Sequence, residues 1–273
     1  MLFRKKEPWI AEPVHFMGKF LELASKTAVV IGGTSGIGLA LSRGLAEAGA
    51  NVIPTGRRSD LVESVVSEIK GMGRRSIAVP CDVTERASVE RLRDAIAKQF
   101  EAVHILVNCA GITTRVPTID VSENDWNRVL ETNLTGTLRT CQVFGRGMIE
   151  RRYGRIINIG SLTSFTGFHE VAAYAASKSA VVSLTRTLAV EWAKFGVCVN
   201  AIAPGVFRTD LNSALLDGTP RGKELLMRTP MGRFGKVEEL VGAAVFLASD
   251  SASFVTGHVL AIDGGFLASG VNQ

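Results

Sequence analysis

The run Gly32-Gly33-Thr34-Ser35-Gly36-Ile37-Gly38 sits where an apolar, β-branched segment gives way to one of helical period. Thr27–Ile31 reads as a strand, and from Ile37 to Ala48 the residues Ile37, Leu41 and Leu45 share one helical face. A chain that passes from strand to helix through such a turn is set up for a βαβ unit with the next strand parallel. Glycines let the backbone turn tightly and approach a pyrophosphate held at the helix N-terminus. Alone the pattern is weak; the strand before it and the helix after it make it informative.

The alternation continues along nearly the whole chain. Asn51–Thr55, Ser76–Val79, His104–Asn108, Arg155–Ile159, Val197–Ile202 and Val259–Ile262 read as further strands. Asp60–Met72, the face Val89, Leu92, Ile96 and Phe100, and stretches near Glu123–Arg151, Val171–Phe195 and Val237–Ala248 read as helices. The strands are apolar throughout rather than alternating, as strands covered on both faces are. The expectation is an α/β protein with a single Rossmann-type, doubly wound parallel sheet and helices on both faces.

No linker, repeat or low-complexity stretch divides the 273 residues. Residues 23–273 are therefore expected to form one dinucleotide-binding catalytic domain behind an N-terminal arm, 1–22. Met1-Leu-Phe-Arg-Lys-Lys-Glu-Pro has no apolar stretch behind its basic residues and does not read as a signal peptide; Met17 is an alternative start. The longest apolar runs, such as Ala243–Ala248, are far short of the roughly 18 residues of a membrane span. Cys81, Cys109, Cys141 and Cys198 form no Cys-x-x-Cys pair, and His15, His104, His169 and His258 no ligand cluster. Reduced thiols in a cytoplasmic protein without a metal are expected. The net charge of +5 is spread over dipeptides such as Arg57-Arg58 and Arg74-Arg75 without interleaved aromatics, which excludes a nucleic-acid stripe.

Tyr174-x-x-x-Lys178 places a phenol and an ammonium on one helical face. A neighbouring cation favours phenolate and is expected to lower the Tyr174 pKa toward the range where it exchanges a proton. Ser161, thirteen residues before Tyr174, ends an apolar run that could present it to the same pocket. Where the second strand ends, a cofactor with a free 2′-hydroxyl is usually met by an acidic residue. Here Gly56 stands at that place and Arg57 follows, a guanidinium suited to a 2′-phosphate. NADP(H) is favoured, with NAD(H) the alternative.

From about Leu23 to Phe266 these residues resemble the short-chain dehydrogenase/reductase family. Gly32, Thr34, Ser35, Gly36, Ile37 and Gly38 resemble its cofactor turn, and Asp82-Val83 the pair that contacts adenine. Asn108-Cys109-Ala110-Gly111 resembles the family's Asn-Asn-Ala-Gly, so Asn108, Ala110 and Gly111 are implied cofactor neighbours. Cys109 replaces the second Asn and with it side-chain hydrogen bonds thought to steady the sheet. Ser161, Tyr174 and Lys178 match the family triad, and Asn133 its additional catalytic Asn. Pro204, Gly205 and Thr209 resemble the segment beside the nicotinamide, with Thr209 at the carboxamide.

The resemblance implies an NAD(P)(H)-dependent oxidoreductase that interconverts a secondary alcohol and a ketone. Tyr174 would pass the proton, Ser161 stabilise the substrate oxygen, Lys178 tune Tyr174 and hold the ribose, and Asn133 position a water in a relay. Substrate choice is expected in Thr113–Thr118, Leu162–Val171 and a lid over about 206–236. Arg115, His169, Arg208 and Arg228 could meet an anionic substrate such as a sugar acid or keto-acid, gluconate and 5-ketogluconate among them. The look is closest to gluconate 5-dehydrogenases. The alternatives are a 3-oxoacyl-carrier-protein reductase and, in another class, a non-catalytic NADP(H)-binding sensor or scaffold. The intact catalytic set speaks for the enzyme. Family members assemble as homotetramers or homodimers through the two long helices, where Val182, Leu184, Leu188 and Trp192 could serve core or interface.

Overall fold

β1 (Thr27–Ile31) is buried along its whole length, and its side chains divide between two cores by the period of two. Ala28 and Val30 join Leu41 and Leu45 of α1 (Gly36–Glu47), Val65 and Ile69 of α2 (Ser59–Gly71), and Ala244 and Leu247 of α9 (Val241–Ala248). Val29 and Ile31 point the other way. They meet Val89, Leu92 and Ile96 of α3 (Arg86–Ala97), Phe144 and Met148 of α5 (Gly136–Glu150), and Leu188 of α6 (Ala172–Trp192). Each such aliphatic side chain taken from water contributes about 1.5–3 kcal/mol. Two continuous cores thus make the sheet a rigid base for the loops at its rim.

The structure, a computed structural model, describes residues 21–209 and 213–271. Residues 1–20 of the expected arm and 210–212 of the expected lid lie outside them. The remaining strands are β2 (Asn51–Thr55), β3 (Ile105–Asn108), β4 (Gly154–Ile159), β5 (Val197–Pro204) and β6 (Val259–Ile262). All pairs are parallel, in the order β2-β1-β3-β4-β5-β6. This is the doubly wound sheet expected from the alternation.

The expected strand at Ser76–Val79 does not form. In β2, Asn51 donates to Lys26 and Thr55 accepts from Gly32, so the odd-numbered residues face β1 and the even ones the outer edge. Pro54 is one of the outer residues and has no N–H to offer a further strand. The segment is instead fastened by Thr55 Oγ1 to Val79 O at 2.6 Å and by Cys81 N to Gly56 O at 2.9 Å.

The expected helix over Glu123–Arg151 forms, with a π-helical turn inside it. α4 (Glu123–Leu130) passes through a π-helical turn, Glu131–Thr135, into α5. On α6, Val182 and Leu188 are buried, and Leu184 and Trp192 pack partly buried against the second core. Val190 lies on the outside at 82% exposure. The four cysteines are free, and burial pushes the thiols of Cys81 and Cys109 up to about 11 and that of Cys141 to about 12. No helix among the described residues is long and apolar enough to cross a membrane, and no metal-binding group of His, Cys, Asp or Glu is found among them.

Candidate active site

The chain leaves β1 for β2 on one side and returns to β3 on the other, which opens a crevice at the carboxyl ends of β1 and β3. The turns after these strands touch: a Cβ on Gly32, whose φ is +75°, would lie 2.7 Å from Ala110 N. Thr55 O accepts from Gly32 N at 2.9 Å and Gly33 N at 3.0 Å. A Cβ on Gly38 would stand 2.0 Å from Gly32 O, so only glycine fits there. The Ser42 hydroxyl, bonded to Gly33 O and Gly38 O, fastens this turn to α1.

Ser35 is the N-cap residue of α1, in extended backbone at φ −157°, yet its side chain makes no capping hydrogen bond. The first turn of α1 holds no acidic residue. A buried Thr34, an exposed Ser35 and a helix start with no carboxylate of its own suit a pyrophosphate. Gly36 has φ +51°, and its Cβ would be 3.9 Å from the Thr209 methyl, which puts Thr209 across the turn. Gly205 donates to Ile262 O at 2.8 Å, and its Cβ would meet Asp263 Cα at 2.5 Å, holding Pro204-Gly205 against the end of β6.

At the end of β2, a Cβ on Gly56 would come 3.0 Å from Thr34 Oγ1, leaving little room for the usual carboxylate. Arg57 is exposed and, among the described residues, has no ion-pair partner. Asp82 is shaped by its own turn, Oδ1 accepting from Thr84 N at 2.9 Å and Thr84 Oγ1 at 2.8 Å. Val83 O accepts from Arg139, and Val83 packs so closely on Gly136 that a Cβ there would lie 2.7 Å from its methyl. The Gly32–Gly38 turn, the exposed Arg57 and the Asp82-Val83 turn thus lie at the strand ends that border the crevice.

Ser161 follows β4 and caps the short turn Leu162–Ser164, its Oγ accepting from Thr163 N at 3.2 Å. The Ser161 hydroxyl also lies near enough to the Tyr174 phenol to favour its ionised form. Tyr174 is half-buried and Lys178 is 5% exposed. Lys178 Nζ donates to Ile159 O at 2.7 Å and lies 5.7 Å from the centre of the Tyr174 ring. Burial pushes the Tyr174 pKa up, and the Ser161 hydrogen bond only partly opposes it. The direction is opposite to the expected lowering, loss of water around the phenol being the largest cause, and burial also lowers the Lys178 pKa to about 8.

Asn133 sits in the π-helical turn and is 1% exposed. Its amide oxygen accepts from Ile112 N at 2.8 Å, and its amide nitrogen donates to Ile112 O at 2.9 Å and Ser177 Oγ at 3.0 Å. Ser177 in turn donates to Tyr174 O at 2.7 Å. A Cβ on Gly111 would meet Asn133 Oδ1 at 3.3 Å and Lys178 Nζ at 3.6 Å, so Gly111 is where these two side chains converge. Such π-turns recur at functional sites because they re-aim one side chain without ending the helix.

The side chain of Asn108 serves the sheet rather than the crevice. Its carboxamide turns inward, donating to Asn158 Oδ1 at 2.9 Å and accepting from Thr140 Oγ1 at 2.7 Å, while Asn158 donates to Thr185 at 2.9 Å. This buried chain ties β3 and β4 to α5 and α6 beneath the site. It supplies the cross-sheet bonding that Cys109 does not.

At the substrate rim, Arg115 Nε bonds Glu170 Oε2 at 2.6 Å and His169 Nδ1 lies 3.6 Å from Glu170 Oε1. Arg221, on α8 (Pro220–Met227), donates to His169 O at 3.4 Å and is half-buried. Arg208 instead pairs with Asp217, beyond α7 (Ser213–Leu216), at 2.6 Å, and Arg228 with Glu224 at 3.2 Å. Arg115 and His169 are thus brought together beside the Tyr174 helix, and Arg208 and Arg228 are not. Arg221 and Ser177 were not singled out from sequence. Ser177 precedes Lys178, and Thr219-Pro220 marks a helix start, but neither signal says where the side chains point.

Comparison with known proteins gives a consistent picture. A family model described as enoyl-(acyl carrier protein) reductase matches residues 32–267. The 5-keto-D-gluconate 5-reductase of Escherichia coli (strain K12) is 38% identical over 251 residues, 92% of this chain and 99% of that protein. The crystal structure of a gluconate 5-dehydrogenase from Burkholderia cenocepacia J2315 in complex with NADP and tartrate is 38% identical, with a TM-score of 0.90 over 93% of this chain and 100% of that one. The crystal structure of a putative NAD(P) dependent gluconate 5-dehydrogenase from Beutenbergia cavernae, with NADP bound at low occupancy, is 46% identical, with a TM-score of 0.87 over 92% and 100% of the two chains.

Proposed function

The chain belongs to the short-chain dehydrogenase/reductase family, whose members act on CH–OH groups with NAD(P), and from that premise we propose that it interconverts a sugar acid and its keto form, as in the gluconate and 5-ketogluconate pair, with NADP(H). The observation that carries this reading is the rim of the Arg115 and Arg221 guanidiniums with the His169 imidazole beside the helix of Tyr174. A polyhydroxy carboxylate has the charge for that rim and hydroxyls for the Ser161–Tyr174 pair. The relatives are themselves a keto-gluconate reductase and gluconate dehydrogenases, one with NADP and tartrate bound.

The cofactor turn from Gly32 to Gly38 would hold the pyrophosphate, Arg57 the 2′-phosphate and Asp82-Val83 the adenine. Ala110 and Gly111 line the path between, with Pro204, Gly205 and Thr209 at the carboxamide. NADPH, when bound, supplies a hydride to the substrate carbon. Tyr174 gives its hydroxyl proton to the substrate oxygen. Ser161 donates to the same oxygen; a positioned donor of this kind contributes about 2.7–4 kcal/mol to the transition state. Lys178, with a pKa of about 8, is poised to return a proton toward Tyr174 near neutral pH. Asn133, clamped by Ile112 and Ser177, holds the floor on which a relay water would sit.

The test is a panel of sugar acids and matched neutral polyols with NADP+, and of 3-oxoacyl thioesters with NADPH. The reading expects the highest kcat/KM for a sugar acid. Turnover confined to thioesters would replace it with the carrier-protein reductase alternative, and cofactor binding without any turnover would favour the sensor.

A further inference from the structure

Glu170 is a residue with a Cβ held at φ +68°, in the left-handed region that side-chain-bearing residues rarely adopt. Such a conformation persists where the surroundings impose it. Here its carbonyl accepts from Val116 N at 2.9 Å, and its carboxylate bonds Arg115 Nε at 2.6 Å with His169 Nδ1 at 3.6 Å. Three chain segments meet at this point: Arg115 follows β3, Glu170 joins the Ser161 turn to α6, and Arg221 is on α8. Arg221 feels both the Arg115 and the Glu170 charges. One carboxylate therefore bonds the Arg115 guanidinium, with an imidazole and a second guanidinium beside it, four residues ahead of Tyr174.

We propose that Glu170 is a specificity-determining residue that occupies the Arg115 guanidinium as an internal carboxylate and gives way to the carboxylate of the substrate. This rests on the sugar-acid reading. The chemistry is an exchange of one charge-assisted hydrogen bond for another of the same kind, with no covalent step. The Glu170 side chain is 21% exposed and that of Arg115 39%, so the pair is open enough for a ligand to displace. The device favours anionic substrates over neutral ones only when the incoming carboxylate out-competes Glu170. It therefore sets the KM for acids without entering the proton path.

The experiment is Glu170→Gln, which keeps shape and backbone and removes the charge, with KM measured for the best sugar acid and for a neutral polyol of matching length. The expected result is a KM for the acid that falls about two- to fivefold relative to the polyol, the worth of one half-exposed ion pair. Glu170→Gly, which also relieves the left-handed strain, moves the ratio in the same direction. NADPH affinity and thermal melting of both variants verify the fold. An acid KM that rises, stays level, or falls in step with the polyol KM overturns the proposal. If the wild-type protein turns over no sugar acid, the functional reading itself fails; if it does and the ratio is unmoved, only the role of Glu170 fails.

Discussion

Around Gly32–Gly38 the contacts are backbone on backbone: Gly32 against Ala110, Gly38 against Gly32 O, and Thr55 O shared between Gly32 and Gly33. Across the crevice, Arg115–Glu170 at the substrate rim and Arg208–Asp217, Arg228–Glu224 and Arg233–Glu239 in the segment after Pro204-Gly205 are side-chain ion pairs open to water. The first kind of construction admits few residue types and fails when one is changed. The second is made of contacts worth about 0–1 kcal/mol each, so it can be rewritten without loss of the fold. A family that keeps one cofactor and varies its substrates is served by that division.

Gly38→Ala gives the harshest test of the rigid side. An added methyl 2.0 Å from Gly32 O must push the turn open, and NADPH affinity is expected to collapse with a lowered melting temperature. Normal binding by this variant in a fluorescence titration would remove the distinction between the two sides. Arg57→Ala sharpens the comparison, since Arg57 is an exposed, charged side chain on the cofactor side. Charge-assisted bonds of about 1.5–3 kcal/mol predict roughly ten- to hundredfold weaker NADPH binding with NADH little changed. Equal loss for both cofactors would place the phosphate elsewhere. The mildest effect is expected among the exposed pairs: Arg228→Ala breaks an i,i+4 pair with Glu224 and should cost less than about 0.5 kcal/mol by thermal or urea unfolding. A larger loss would show that these pairs also carry fold stability.

The same contrast explains what could be read from the sequence. The strand-to-helix alternation and the glycine turn are legible because a tight turn and a doubly covered strand each demand particular residue types. The absence of a strand at Ser76–Val79 turns on the outward register of Pro54, which depends on how β2 pairs with β1. The π-turn at Asn133 has no local signature, being fixed by the grip of its amide on Ile112 and Ser177. Ser161, Tyr174 and Lys178 were visible as a pattern, but the direction of the Tyr174 pKa was not. That direction depends on burial, and spacing along a helix says nothing of it. Across the crevice, arginines were recognisable as candidates, whereas their partners, Glu170 for Arg115 and Asp217 for Arg208, follow from loop paths alone.

The central claim is that Tyr174 moves the proton in a site whose cofactor half is built separately from it. Tyr174→Phe, measured in parallel for NADPH affinity and single-turnover rate on the best substrate, tests this most directly. The account predicts NADPH binding within about twofold of wild type and a rate lower by about 10²–10⁴, the span of general acid–base catalysis. Turnover that survives the loss of the phenol would contradict it.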